Sequence, residues 1–297
     1  MSDAYIVSAV RTPIGKFMGG LSSFPSPALG SLAVREAVRR ADVVPAAVDE
    51  VFMGCVLQAG LGQNPARQAA LRGGLPDAVG AVTINKVCGS GLKSIIFGVQ
   101  AIRTGDADVI VAGGMESMTN APYVLPDARK GSRLGHGRTI DVMVQDGLWD
   151  AFNDFHMGTS CELVAERFKI TRADMDAFSA ESHKRAIAAT RAGKFKAEIV
   201  PIVVPAEKSS IENDEGPRED STVEKLGKLK PAFRADGLVT AGNASQISDG
   251  AAAVVLMSER ALKERRAALP RACAADGRRA PRRCAAALAS PSPALET

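Results

Sequence analysis

Short apolar runs alternate with amphipathic helical patterns along most of this chain, and that alternation limits the folds it can adopt. Between the runs, apolar residues recur at spacings of three and four, as on one face of a helix. Strands that follow one another through helices run parallel, and a parallel sheet needs helices on its faces. The runs that indicate buried strands are residues 5–10, 48–53, 81–84, 108–112 and 251–257. The sequence therefore predicts an α/β fold with a mostly parallel sheet covered by helices.

The helical patterns have recognisable ends. Gly105 is suited to end the third helix, and Thr171 with Asp174 resembles a capping box at the start of the fifth. The predicted helices are 29–40, 64–71, 88 to about 105, 161–168 and 172–192. A further apolar run at 199–204 contains Pro201, which has no backbone N–H to donate, and it predicts an edge strand.

The net charge of +4 does not indicate a nucleic-acid-binding protein, because the excess lies in one segment. Residues 264–297 contain seven Arg, no Lys and three acidic residues, which leaves 30 basic and 30 acidic residues in 1–263. The same segment has 11 Ala and 4 Pro, and it lacks Ile, Val, Phe, Met, Tyr and Trp. We expect it to be a disordered tail, either a solvated linker or, as this composition favours, the product of a shifted reading frame.

Other features limit the cellular setting. The chain has no run of about 18 apolar residues, which a membrane-spanning helix needs, and its first residues lack the basic-then-apolar order of a signal peptide. Its five Cys form no CxxC pair, and with the three His they form no metal-ligand set. We therefore expect a cytoplasmic protein with no membrane span and no bound metal.

One thiol stands where an apolar run gives way to small residues. Cys88 lies in TINKVCGSGLKS at 83–94, and Gly89, Ser90 and Gly91 leave space beside its sulfur for an incoming acyl group. If Cys88 opens the following helix, the helix N-terminus favours a thiolate, which is a nucleophile for acyl transfer. Free Cys is also among the most buried residue types, so the spacing alone leaves open a structural Cys at a strand–helix junction.

The segment around Cys88 is one of an ordered series of motifs that resembles the thiolases, in particular the short-chain acetyl-CoA acetyltransferases. Each motif alone is a weak signal, but their order along residues 1–263 is specific. The matching segments are VSAVRTPIGK at 7–16, NKVCGSG at 85–91, AGGMESM at 112–118, DGL at 146–148, FHMGT at 155–159, KLKPAF at 228–233 and TAGNASQISDGA at 240–251.

This resemblance implies a thiolase-like fold with a divided N-terminal domain. Residues 1–118 and 248–263 would form that domain, and 119–247 would form an inserted loop domain. It also implies an acyltransferase that forms or cleaves acetoacetyl-CoA through a Cys acyl-enzyme. Coenzyme A and acetyl-CoA are then substrates, no cofactor is bound covalently, and the expected assembly is a homodimer or homotetramer.

The same resemblance implies roles for individual residues. Cys88 would be the catalytic nucleophile, Ser245 would bond the pantetheine arm, and Arg218 would lie near the nucleotide end of coenzyme A. Residues expected to line the pantetheine and acyl pocket are Leu148, His156 and Met157. The residues alone leave ordinary alternatives open: a hydrogen-bonded loop histidine at 156, a packing residue at 157 and a solvated charge at 218.

The resemblance stops after Arg265. The family continues through a mirrored second half that supplies a His in a Gly-His-Pro segment and a second Cys in a Gly-rich segment, and neither motif occurs here. We therefore expect a chain that lacks most of the C-terminal half and is inactive alone. The alternative is a non-catalytic CoA-binding or subunit-pairing fragment. A decarboxylating ketosynthase relative would share the nucleophilic Cys, but such proteins do not resemble the segments at 85–91 and 240–251.

Overall fold

The described chain is built around one large sheet with helices on both faces. A computed structural model describes residues 3–131, 133–204 and 209–268. The strands in these ranges are β1 Ala4–Arg11, β2 Gly15–Lys16, β3 Glu50–Gly54, β4 Gly80–Ile84, β5 Val109–Ser117, β6 Tyr123–Val124, β7 Ile140–Asp141, β8 Trp149–Asp150, β9 Phe155–His156, β10 Ile202–Val204, β11 Ser209–Ile211 and β12 Ser248–Ser258. The helices are α1 Ser26–Ala41, α2 Pro65–Arg72, α3 Ser90–Thr104, α4 Met157–Phe168, α5 Arg172–Arg191, α6 Val223–Leu226 and α7 Glu259–Ala268.

The central sheet has the strand order β1–β12–β5–β3–β4, and β2 pairs with the beginning of β12. Strand β3 is parallel to both β4 and β5, whereas β12 is antiparallel to β5 and to β1. Strand β12 begins where β5 ends, with Asp249 paired to Ser117, so it must run back along β5. All the other long strands share one direction, and the prediction of a mostly parallel α/β sheet is confirmed.

Alternate residues of the central strands face two different cores, as the two-residue period of a strand requires. On one face, Val51 and Val111 belong to a fully buried cluster that includes α1 and α2. On the other face, Phe52 and Ile110 pack with Ile102 of α3. Each large apolar side chain buried in this way contributes about 1.5–3 kcal/mol to folding.

The predicted helix ends are largely confirmed. Helix α3 begins two residues after Cys88, because Gly89 takes the cap position, and it ends at Gly105 with φ of +84°. Thr171 and Asp174 form the expected capping box: each side chain accepts from the other residue's backbone N–H, the Asp174 carboxylate at 3.0 Å and the Thr171 hydroxyl at 3.2 Å.

The predicted edge strand at 199–204 is shorter than expected and lies outside the central sheet. Strand β10 pairs with β11 in a two-stranded sheet, and Ile199 makes only an isolated parallel bridge to Arg11. Pro201 separates these two pairings, and its lack of an N–H explains why no continuous ladder forms.

The segment 264–297, predicted to be a disordered tail, begins within a helix, since α7 continues to Ala268. Lys263 pairs with Glu259 one turn earlier at 2.6 Å, and Arg265 pairs with Asp42 at 3.5 Å. The remainder of the predicted tail, 269–297, lies outside the described residues.

The segment between β5 and β12 adds no strand to the central sheet in its described part. Its strands form three separate two-stranded sheets, β6–β7, β8–β9 and β10–β11. This arrangement fits an inserted loop domain at 119–247, flanked by 1–118 and 248–263, and that division stays a prediction.

Glycines allow the N-terminus of α3 to lie directly on the ends of β3 and β5. A Cβ on Gly54 would stand 2.6 Å from the carbonyl carbon of Ser90, and one on Gly114 would stand 3.2 Å from Cα of Gly91. The Ser94 hydroxyl lies 2.6 Å from the carbonyl oxygens of both Gly91 and Gly113, so it ties the helix to β5. This packing fixes the position of the turn that carries Cys88.

Two glycine substitutions test whether the close packing of α3 on the sheet requires a missing side chain at Gly54. Gly54→Ala must push the backbone of α3 away, and we expect it to lower the free energy of unfolding by about 1–3 kcal/mol. Gly91→Ala is the matched control, because its Cβ would meet nothing nearer than 3.7 Å. That variant should change stability by less than about 1 kcal/mol. Urea denaturation measures both, and equal losses would contradict this account.

Candidate active site

Cys88 lies in a tight turn between the end of β4 and the start of α3, with its side chain exposed. The turn is closed by bonds from the Gly89 N–H to the Lys86 carbonyl, 3.1 Å, and from the Ser90 N–H to the Val87 carbonyl, 3.0 Å. The structure therefore presents this thiol at the carboxyl edge of the sheet rather than burying it at the junction. Ligands of α/β proteins bind at this edge.

A cavity of about 500 Å³ opens beside Cys88. The ends of β3 and β5, the first residues of β12 and the turn before α3 form its walls. Among the predicted site residues, Leu148 and Ser245 line this cavity together with Cys88. The fold thus brings three of the six predicted residues to one place, although they are far apart in sequence.

Leu148 reaches the cavity at the end of a π-helical turn, Met143–Leu148. Such turns are rare and occur frequently at functional sites. Gly147 precedes it, and a Cβ there would stand 3.3 Å from the Leu57 side chain. The absence of a side chain at 147 lets this turn pack against the loop that follows β3.

The loop that carries Ser245 is fastened by buried polar groups. Asn243 donates from its side chain to Asp176 of α5, 2.9 Å, and accepts from the Thr240 N–H, 2.7 Å. Asp176 is 1% exposed and also pairs with Arg172 at 2.7 Å. The loop position is therefore set by α5, through a buried carboxylate whose partners are satisfied.

A second carboxylate holds the chain just before this loop. Glu162 of α4 is fully buried and accepts from the N–H groups of Leu238, 2.8 Å, and Val239, 2.9 Å. A Cβ on Gly237 would stand 2.3 Å from this carboxylate, so only glycine fits there. Helices α4 and α5 together place the segment that reaches Ser245.

A second, larger cavity of about 730 Å³ adjoins the first, since Gln246 lines both. Arg218 lies on its wall with Lys16 and Lys225, and the acidic residues there are Glu215 and Asp220. The Arg218 side chain is exposed and 3.2 Å from Asp220, and this hydrogen bond raises the pKa of the guanidinium. The cavity presents more positive than negative side chains, which suits an anionic group.

His156 and Met157 line neither of these two cavities. The Nδ1 atom of His156 accepts from the Gly158 N–H at 2.9 Å, which caps α4, and its ring stacks on Phe233 with centroids 4.9 Å apart. Met157 is the first residue of α4 and is 37% exposed. Neither residue lines the cavity beside Cys88. The role of His156 and Met157 in the pantetheine and acyl pocket therefore stays a prediction.

Glu116 also lines the Cys88 cavity, and the sequence motif gave it no role. Its carboxylate accepts from the N–H groups of Val56, 2.8 Å, and Leu57, 3.1 Å. Burial raises the pKa of Glu116. The Cys55 thiol, 1% exposed, lies 3.7 Å from it, and burial followed by the charge of Glu116 raises the pKa of this thiol. The sequence did contain a signal for Glu116, since it is an acidic residue within an otherwise apolar strand.

Two features are absent from the described ranges. No group of three or more His, Cys, Asp or Glu residues is placed to hold a metal ion. No helix combines the length and apolar character that crossing a membrane requires.

Comparison with known proteins gives one consistent result. The family model described as "Thiolase, N-terminal domain" matches residues 4–260. The chain is 56% identical to an acetyl-CoA acetyltransferase of Pseudomonas aeruginosa over 261 residues, which is 87% of this chain and 66% of that relative. It is 51% identical to an acetyl-CoA acetyltransferase of Cupriavidus necator, covering 89% of this chain and 68% of the relative. A probable acetyl-CoA acetyltransferase of Escherichia coli is also 51% identical, over 87% and 66% of the two chains. The chain thus spans about two thirds of the length of these relatives.

The contrast between the thiols predicts an order of alkylation. Limiting iodoacetamide should modify Cys88 first, because its thiol is exposed beside an open cavity, and Cys55 last, because burial disfavours its thiolate. Cys161 is the matched control, since it is exposed but lies on the surface of α4. Peptide mapping by mass spectrometry measures the three rates. Faster labelling of Cys161 or Cys55 than of Cys88 would contradict this assignment.

Proposed function

Because the chain belongs to the thiolase family, an enzyme family, we propose that Cys88 is the acyl-carrying nucleophile of an acetyl-CoA acetyltransferase. The observation that carries this proposal is the meeting of Cys88, Leu148 and Ser245 in one cavity, which adjoins the cavity of Arg218 at Gln246. A narrow apolar arm followed by a phosphate-bearing nucleotide is the shape and charge of an acyl-CoA.

The first chemical step takes place at Cys88. Its thiol loses a proton to water, the thiolate attacks the carbonyl carbon of acetyl-CoA, the carbon–sulfur bond to coenzyme A breaks, and the departing thiolate takes a proton from water. The product is an acetyl thioester on Cys88 and free coenzyme A. Negative charge forms on the carbonyl oxygen in the transition state, and backbone N–H groups are the donors that ordinarily meet such charge.

The substrate would lie across both cavities. We place the pantetheine arm beside Leu148 and the Ser245 hydroxyl, and the phosphates beside Arg218 and Lys225. The Arg218 and Lys225 side chains are both exposed, and both form an ion pair with Asp220, at 3.2 and 3.5 Å. Each can therefore turn towards a phosphate without breaking a buried contact, and charge-assisted bonds to phosphate are the strong ones.

Carbon–carbon bond formation requires a base that removes a proton from a second acetyl-CoA. Among the described residues, those lining the Cys88 cavity include no His and no second Cys. We therefore propose that this chain alone is inactive as an acetyltransferase: Cys88 can take up an acetyl group, but acetoacetyl-CoA does not form. Loss of a general base typically costs about 10²–10⁴-fold in rate.

A non-catalytic CoA-binding or subunit-pairing role is the second candidate, and the surface of α3 favours it. Leu92 is 60% exposed, and Ile96 and Phe97 on the same helix are each more than one third exposed. Apolar groups in such a row commonly mark an interface with another chain. A homodimer or homotetramer is the assembly we propose for this surface.

Free thiols at Cys55, Cys88 and Cys161 support a reducing, cytoplasmic setting.

Acetyl transfer tests the nucleophile directly. After incubation with acetyl-CoA, the wild-type chain should carry one acetyl group on Cys88, and Cys88→Ser should carry none, because a serine hydroxyl without an activating base is a far weaker nucleophile than a thiolate. Cys161→Ser is the matched control and should acylate as the wild type does. Intact-mass and peptide analysis measure the outcome. Coenzyme A binding without acylation of Cys88 would instead favour the non-catalytic candidate.

Binding of coenzyme A tests the second cavity. Arg218→Ala should weaken coenzyme A about tenfold at low salt, since it removes a charge-assisted contact with a phosphate. The difference should shrink as salt rises, because the contact is exposed. Arg185→Ala is the control: it removes an exposed α5 guanidinium that pairs with Glu181 at 2.8 Å and lines neither cavity. Titration calorimetry measures both, and equal effects would contradict the assignment.

A further inference from the structure

The residue before Cys88 has an unfavourable backbone conformation. Val87 has φ of +47°, in the left-handed region. A β-branched side chain is rare there, because its Cβ approaches the following carbonyl oxygen. Such a conformation persists only where neighbouring groups hold it, and strained residues of this kind concentrate at active sites.

Ser90 holds the turn from inside the protein. Its side chain is 4% exposed, and its hydroxyl accepts from the Lys86 N–H at 2.8 Å and donates to the Val87 carbonyl at 2.5 Å. One hydroxyl therefore joins the Lys86 N–H to the Val87 carbonyl. Rotation of Val87 into the right-handed region would break the second of these bonds.

Asn85 holds the other side of Val87. Its side-chain oxygen accepts from the Val87 N–H at 2.9 Å, and its amide nitrogen lies 3.5 Å from the Val56 carbonyl. Val56 belongs to the loop whose N–H groups bond the Glu116 carboxylate. The turn is thereby connected to β5 as well as to α3.

We propose that Asn85 and Ser90 are positioning residues that hold Val87 in its left-handed conformation and so aim the Cys88 thiol into the cavity. This inference rests on the proposed function, in which Cys88 is the nucleophile. The physical reason is geometric: the peptide between Val87 and Cys88 turns with Val87, so relaxation of Val87 carries the sulfur away from Leu148 and Ser245.

The test is a double-mutant cycle read out as the second-order rate constant of Cys88 with iodoacetamide, measured from pH 6 to 9. Asn85→Ala and Ser90→Ala should each slow Cys88 about tenfold at every pH, as release of one strained residue predicts. In a Val87→Gly background the same two substitutions should slow it less than about threefold, because glycine adopts positive φ without a clamp. General destabilisation would not be relieved in this way.

Asn120→Ala provides the matched control. That amide donates to the Ser22 and Phe24 carbonyls, away from the turn, and its loss should leave the rate of Cys88 unchanged. The rate of Cys161 in every variant reports whether the fold as a whole has loosened. Undiminished rates at Cys88 in Asn85→Ala and Ser90→Ala would overturn the proposal, and so would losses that Val87→Gly does not relieve. A wild-type Cys88 no faster than Cys161 would instead overturn the proposed nucleophile, and the positioning role with it.

Discussion

The site depends on one close contact, that of the first turn of α3 with the glycine ends of β3 and β5. A Cβ on Gly54 would stand 2.6 Å from Ser90, and a Cβ on Gly114 would stand 3.2 Å from Gly91, so the helix lies this close because both residues lack a side chain. Because that contact fixes the start of the helix, it also fixes the preceding turn, and the thiol of Cys88 has a defined place at the carboxyl edge of the sheet. Protein interiors are packed densely enough that a single methyl group here would move the backbone.

Buried carboxylates hold the loops that complete the two cavities. Glu116 bonds the loop after β3, while Glu162 and Asp176 bond the segment leading to Ser245. Each carboxylate accepts hydrogen bonds from backbone N–H groups or side-chain amides of the loops, which would otherwise lack a partner inside the protein. An unsatisfied buried donor costs about 1–3 kcal/mol, so these contacts select one loop conformation from many. These contacts therefore hold in place the loops that complete cavity walls built largely from strand ends.

The sequence predicted the parts of the fold that depend on local patterns. The buried strand predicted from the apolar run at 108–112 and the helix end at Gly105 each follow from neighbouring residues alone, and both are found in the structure. The strand predicted at 199–204 is shorter in the structure, because a strand continues only where its backbone pairs with a neighbour and Pro201 has no N–H to donate. Helix α7 extends past residue 264, where Arg265 pairs with Asp42, a residue distant in sequence.

For the site, the sequence by itself determined which thiol stands in a glycine-flanked turn before a helix, and it determined the α/β class. Only the tertiary structure decided that Cys88, Leu148 and Ser245 share a cavity, that Arg218 lies in the next one, and that His156 caps a helix instead of lining either. The reason is that a motif records chain order, whereas a cavity is formed by side chains whose contacts span more than a hundred residues of sequence. The left-handed backbone of Val87 belongs to the same category, since no local preference of valine predicts it and only surrounding hydrogen bonds sustain it.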